Sequence, residues 1–123
     1  MIRFVTILIT VTMGLSLIGS DFYVCQSAGK KKGPGTKEAP YKAIFDAVKN
    51  AQPVDTIHIA AGSYTGQMGA SEIIINKPVT IIGGYSPGFT ERNVTKYPTL
   101  IQPRNDKNDT KGLGVLTFDL PAG

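Results

Sequence analysis

The sequence predicts a mainly β solenoid of parallel coils, opened by one capping strand and one helix. Three observations predict it. Short segments rich in Ile, Val, Leu, Thr and Phe recur between Gly, Pro or Asn boundaries: DTIHIA (55–60), PVTIIGG (78–84), PTLIQP (98–103) and GVLTFDL (114–120). Their centres, Ile57, Val79, Leu100 and Leu116, stand at steps of roughly 20 residues, the recurrence that stacked coils produce. No two of them are joined by a tight Asn-Gly or Gly-Gly turn, which makes antiparallel hairpins the less favoured arrangement.

A leader comes first. Arg3 precedes an uncharged, mostly apolar run, FVTILITVTMGLSLI (4–18), and Gly19 and Ser20 follow as small residues before Asp21. This is the order of a secretory signal. The run falls short of the roughly 20 residues a spanning helix needs, so removal of residues 1–20 is expected over a retained anchor. The remaining 21–123 suffices for one small domain and not for two. A single cysteine, Cys25, rules out an internal disulfide, so packing must hold that domain together. The formal charge of +4 is too slight to point to nucleic acid.

Beyond the leader, DFYVC (21–25) is expected as the capping strand and SAGKKKGPGTKEAP (27–40) as a loop. YKAIFDAVKNA (41–51) carries Ile44, Ala47, Val48 and Ala51 at spacings of three and four, one face of a helix of about three turns between Pro40 and Pro53. That face would cover the open end of a coil stack. EIIIN (72–76) fits an extra strand within one coil. Alternation puts Ile57 and Ile59 inward with His58 outward, and Val79 and Ile81 inward with Thr80 and Ile82 outward. Gly83 and Gly84 would turn a corner.

GKKKGPGT (29–36) raises the question of a phosphate cradle. The spacing fails, because Pro34 stands where the second glycine belongs and Gly35 where the lysine belongs. Gly29, Pro34 and Gly35 are expected to form a turn with the lysines as its solvated rim. Neither nucleotide nor nucleic acid is expected as a partner.

Few residues point to chemistry. His58 is the only histidine, and the sequence pairs no nucleophile or second ligand with it, so a surface position is expected. Asp55 suits a turn or cap. RNDKNDTKG (104–112) offers Asp106, Asn108 and Asp109 as oxygen ligands for calcium, but without the spacing of a calcium loop; a polar loop is the expectation, with no metal or cofactor. Asn93-Val-Thr95 and Asn108-Asp-Thr110 are glycosylation sequons. Lipidation at Cys25 is disfavoured by Phe22, Tyr23 and Val24 before it, leaving the leader as the expected membrane contact. Tyr64, Tyr85 and Tyr97, with Arg92, fall at coil corners or in the loop after the second coil. They are the candidate carbohydrate contacts, since aromatic faces stack on sugar rings; the competing role is corner packing with wet hydroxyls.

FYVCQSAGKKKGPGTKEAPYKAIFDAVKNAQPVDTIHIAAGSY (22–64) resembles the N-terminal signature of bacterial secreted right-handed parallel β-helix proteins of the pectin-lyase-like superfamily. Within it the similarity is to the domain of unknown function that opens many such proteins, and INKPVTIIGGYSPGFTERNVTKYPTLI (75–101) is similar to their second coil. Three positions depart: Lys31 where the family often has Asp, Ala43 where Thr is frequent, and Val54 where Gly usually precedes Asp-Thr. The resemblance implies a right-handed parallel β-helix with a capping strand, a capping helix and about three coils. It implies a secreted, cell-surface or outer-membrane location. The superfamily's lyases use acidic calcium ligands with a basic proton acceptor and its hydrolases use clustered aspartates, and nothing in 22–123 matches either motif. The expected function is an exported structural or surface module that contacts polysaccharide and is not itself catalytic. The alternative is the N-terminal part of a polysaccharide lyase or glycoside hydrolase whose active site lies on further coils. GVLTFDLPAG ends without a polar capping turn, so a C-terminally truncated chain is expected.

Overall fold

The computed structural model describes residues 18–65, 73–102 and 116–118. In chain order it contains β1 (Asp21–Val24), α1 (Ile44–Asn50), β2 (Thr56–Ala60), β3 (Gly62–Tyr64), β4 (Ile73–Ile75), β5 (Thr80–Tyr85), β6 (Thr99–Ile101) and β7 (Leu116–Phe118). The fold is mainly β. All pairing between these strands is parallel, in three sheets ordered β1-β2-β5, β3-β6 and β4-β7.

Parallel neighbours cannot be joined by a hairpin, so β1 reaches β2 by way of α1, and from β2 to β7 consecutive strands go to different sheets. Register then places like on like. Phe22 lies opposite Ile57, and Ile57 opposite Ile81. Inward residues alternate as the sequence expects: Ile57 and Ile59 are fully buried, and Val79 and Ile81 pack partly buried against the same cluster. Ile73 and Ile75 of β4 join that core, while Ile74 faces solvent. The helix adds Ile44, Ala47, Val48 and the following Ala51, the face read from the sequence.

Four details differ from expectation. First, β3 lies at Gly62–Tyr64, where the sequence reading assigns no strand and puts Tyr64 at a coil corner. Second, the spacing of about 20 residues is not the stacking repeat beyond β2 and β5, because β6 pairs with β3 and β7 with β4. Third, α1 has two turns rather than three. Tyr41 stays extended, bridging both Val24 and Lys30, and its N–H and C=O bond to the β1 segment instead of to a helix. Fourth, Gly83 and Gly84 lie inside β5, where the register with β2 slips between His58 and Ala60; Gly84 at φ +86° makes a bulge, not a corner.

The loop GKKKGPGT covers the outer edge of β1. Tyr23 N–H donates to Gly35 O, Tyr41 N–H to Tyr23 O and Cys25 N–H to Tyr41 O, each at 2.8 Å. Farther along, Lys30 N–H donates to Pro40 O at 3.0 Å and Lys42 N–H to Lys30 O at 3.2 Å. An exposed strand edge is a template for association, and here the chain blunts it with its own backbone. Gly29 is required by closeness, since a Cβ would collide with the carbonyls of Cys25 and Tyr41. Gly35, at φ +70°, sits where a Cβ would enter the Tyr41 ring. The three lysines, Lys30 to Lys32, are exposed.

The C-terminus of α1 is finished by a distant side chain. Lys77 Nζ donates to the carbonyls of Val48 (2.9 Å), Lys49 (3.0 Å) and Ala51 (2.6 Å), neutralising the negative end of the helix. The N-terminus lacks such help: Ala43 is the N-cap and supplies no side-chain acceptor. Between helix and β2, Gln52 to Asp55 make a turn closed by Asp55 N–H to Gln52 O at 3.1 Å. Pro53 is its second residue and Val54 its third, at φ +67°. A type II turn takes glycine at such a position, and a β-branched residue is strained there.

Replacing Val54 with glycine relieves roughly 1–2 kcal/mol of left-handed strain and costs about 0.4–1 kcal/mol through a freer unfolded chain. Val54→Gly is therefore expected to stabilise the protein by about 1 kcal/mol. Urea denaturation checks it, and a lowered midpoint would contradict the strain.

Candidate functional site

The outward residues of the β1-β2-β5 sheet form the densest cluster of chemistry-bearing side chains in the described residues. β1 sends Asp21 and Tyr23 outward, β2 sends His58 and β5 ends in Tyr85. His58 lies opposite Tyr23 and diagonal to Asp21, because Asp21 is registered with Thr56. The Tyr23 and His58 rings stack at 4.9 Å with 16° between planes. Phe89 closes the group edge-on to Tyr23 at 4.9 Å and tilted against Tyr85 at 5.9 Å. Phe89 itself holds φ +58° in a turn tied by Phe89 N–H to Ser86 O at 2.8 Å and Ser86 N–H to Glu91 O at 2.9 Å.

Both imidazole nitrogens are occupied. Nε2 lies 2.8 Å from Asp21 Oδ1 and Nδ1 lies 2.9 Å from Tyr85 Oη. A carboxylate only accepts, so in the neutral ring Nε2–H donates to Asp21 and Nδ1 accepts from the Tyr85 hydroxyl. Once protonated, the ring donates on both sides and Tyr85 reverses its role. The His58 side chain keeps 15% of its exposure and Asp21 keeps 58%, so the ion pair is a surface pair worth at most about 1 kcal/mol. Carboxylate, imidazole and hydroxyl are linked in series as in a nucleophile relay. Asp21, Tyr23, His58, Tyr85 and Phe89 line none of three clefts that occur among the described residues.

Cations flank the aromatics. Lys37 Nζ stands 5.7 Å over the Tyr23 ring, and the Arg92 guanidinium stands 5.9 Å over Tyr85 while Arg92 Nε–H donates to Gly83 O at 3.0 Å. A few residues on, Tyr97 Oη–H donates to Glu91 Oε2 at 2.9 Å, with Lys96 Nζ 5.1 Å over its ring. Burial, then the charge of Asp21, raises the Tyr23 phenol above its ordinary range.

Of the candidate carbohydrate contacts, Tyr85 and Arg92 come together on this flank and Tyr97 stands beside Glu91. Tyr64 does not join them. It is 3% exposed, donates to Ala60 O at 2.8 Å and accepts from Gln26 N–H at 3.3 Å, a core tyrosine that borders the cleft between loop and helix. Cys25 is fully buried, with Sγ 3.4 Å from Ser27 Oγ. Asp55 is a turn carboxylate, accepting from Gln52 N–H at 2.7 Å. The loop with Asp106, Asn108 and Asp109 lies outside the described residues. Asp21, Tyr23 and Phe89 escaped the sequence reading. The first two were findable once β1 is taken as alternating, since Asp21, Tyr23 and His58 are the outward positions of adjacent strands.

A separate cleft of about 200 Å³ lies between loop and helix, lined in part by Lys31, Lys42, Asp46 and Ser63. Asp46 Oδ2 is buried there without a hydrogen-bond partner. Burial raises the Asp46 carboxyl above its usual range, and the charges of Lys49 and Lys31 pull it back.

Fold and site together define a small parallel-β domain with a self-covered first edge and an aromatic, cation-flanked outer face. The chain belongs to the family described as "Protein of unknown function (DUF1565)", whose model matches residues 27–111. No curated protein and no solved structure matches it.

Burial pushes the Tyr64 phenol up to about 12. The folded protein thus holds that proton more tightly than the unfolded chain, whose phenol ionises near its ordinary value of about 10. Stability is expected to fall as pH rises from about 10 towards 12. Tyr64→Phe should remove that part of the alkaline loss while costing about 1 kcal/mol at neutral pH through the missing bond to Ala60. Urea melts at pH 7 and 11 on both proteins check it; identical alkaline losses would refute it.

Proposed function

We propose that the chain is the capped N-terminal part of an exported right-handed parallel β-helix of the pectin-lyase-like kind, a structural surface module that contacts polysaccharide and carries no catalysis of its own. The observation that carries this reading is an asymmetry of edges. The outer edge of β1 is occupied by the chain's own 35–41 segment, while among the described residues the far edge of β5 is met at its end, where Arg92 bridges Tyr85 and Asn93 N–H donates to Gly84 O at 2.8 Å, and no described strand pairs along it. A solenoid needs a closed start and an edge on which the next coil can build. The all-parallel ladders and the helix over the core fit that role.

The polysaccharide contact belongs to the flank of Tyr85, Arg92 and Tyr97. A ring face stacks on a sugar, and a guanidinium beside it pairs with a carboxylate, so an acidic glycan suits the patch. The Asp21–His58–Tyr85 series serves this surface by fixing the Tyr85 ring.

Deleting residues 30–39 bares the edge of β1. The deletion protein is expected to run as stacked oligomers in sizing chromatography with light scattering, and a cooperative monomer would remove the cap reading. For the glycan, affinity electrophoresis in polygalacturonate is expected to retard the intact protein, with Arg92→Ala and Tyr97→Ala together weakening retention about tenfold, or roughly 1.4 kcal/mol. Unchanged retention in the double variant would discard the patch.

A further inference from the structure

Asp55 is only 5% exposed, yet it carries a carboxylate. Two backbone donors hold it: Gln52 N–H to Oδ2 and Ser20 N–H to Oδ1, both at 2.7 Å. Among the described residues no Lys, Arg or His pairs with it. A buried carboxylate without a counter-ion is costly, and the donor nearest in kind to a cation is the nitrogen of Ser20. Ser20 also extends the ladder, since Thr56 N–H donates to Ser20 O at 2.9 Å just beyond the Asp21–Thr56 register pair. Gly19 abuts the Val54 carbonyl so closely that a Cβ would overlap it.

Resting on the export reading above, we infer that the leader is cut between Gly19 and Ser20, so that Ser20 opens the mature protein and its α-ammonium is the counter-ion of Asp55. A leader peptidase adds water across that peptide bond. The C–N bond breaks, the water oxygen goes to the Gly19 carbonyl carbon, and Gly19 departs with the leader as a carboxylate. The Ser20 nitrogen keeps the bonding electron pair and takes up protons to become an ammonium.

The peptidase acts on the unfolded chain, and Gly19 or Ser20 would supply the small residue just before the cut equally well. The folded product separates the two cuts. Cleavage after Ser20, the boundary expected from sequence, removes the donor to Asp55 Oδ1 and the acceptor for Thr56 N–H together. Cleavage after Gly19 keeps both and converts a neutral donor into a charged one at the same place, where charge-assisted bonds are about twice as strong.

The test begins with the full 123-residue chain expressed in a bacterium with an active export pathway, followed by intact mass and N-terminal sequencing of the exported product. Ser20 as first residue is the expected result. A start at Asp21 or later overturns the inference while leaving export standing, and a cell-retained chain still carrying its leader overturns both. Two purified forms, starting at Ser20 and at Asp21, give an independent readout. Asp55→Asn is expected to lower the urea midpoint of the Ser20 form by about 1 M and to move the Asp21 form much less. Acetylating the Ser20 amine should erase most of that difference. Equal responses of the two forms would sink the ion pair.

Discussion

The backbone of β1 is the constraint on which the rest depends. A short parallel strand at the start of a sheet has two edges and cannot leave either dry and unpaired. β2 takes one edge in register from Asp21 to Val24, and the returning chain at Gly35 and Tyr41 takes the other. For the second pairing to form, the chain must pass within backbone contact at Gly29 and turn left-handed at Gly35. Tyr41 must stay extended long enough to bond on both sides. That in turn delays the helix to Ile44 and limits it to two turns.

A helix so short is marginal by itself and is held by what it touches. Ile44, Ala47 and Val48 are buried against the sheets, and Lys77, from the segment after β4, binds three of its terminal carbonyls. The two ends are unequal. Ala43 accepts from Asp46 N–H through its carbonyl but offers the first turn no side-chain acceptor, and Asp46 keeps an unpartnered buried oxygen. Val54 holds a left-handed conformation that glycine would take without strain. Ala43 and Val54 are two of the three departures from the expected pattern, and at each the residue expected there has a physical advantage.

Alternation and helical spacing made the core legible. Ile57 and Ile59, Ile44 and Val48, and the strand segments themselves follow from one-dimensional periodicity. Partner choice did not, because a parallel ladder leaves no turn in the sequence to announce it: nothing local says that Gly62 faces Thr99 or that Ile73 faces Leu116. The candidate site was hidden for the same reason. Asp21, His58 and Tyr85 lie on three strands and meet only through register. Tyr64, expected at a coil corner, lies in β3 with its ring in the core, because the pairing of Gly62 to Tyr64 with Thr99 to Ile101 leaves no local mark in the sequence.

The all-parallel pairing also bears on time. Asp21 must find Thr56, Gly62 must find Thr99 and Ile73 must find Leu116 before any ladder exists. Each encounter closes a large loop before it is repaid, and no hairpin nucleus precedes it. Such a chain gains little from its first residues to emerge and commits late. Slow acquisition of structure is a liability in a crowded cytosol, but it keeps a polypeptide threadable, which is the state that the export proposed above requires.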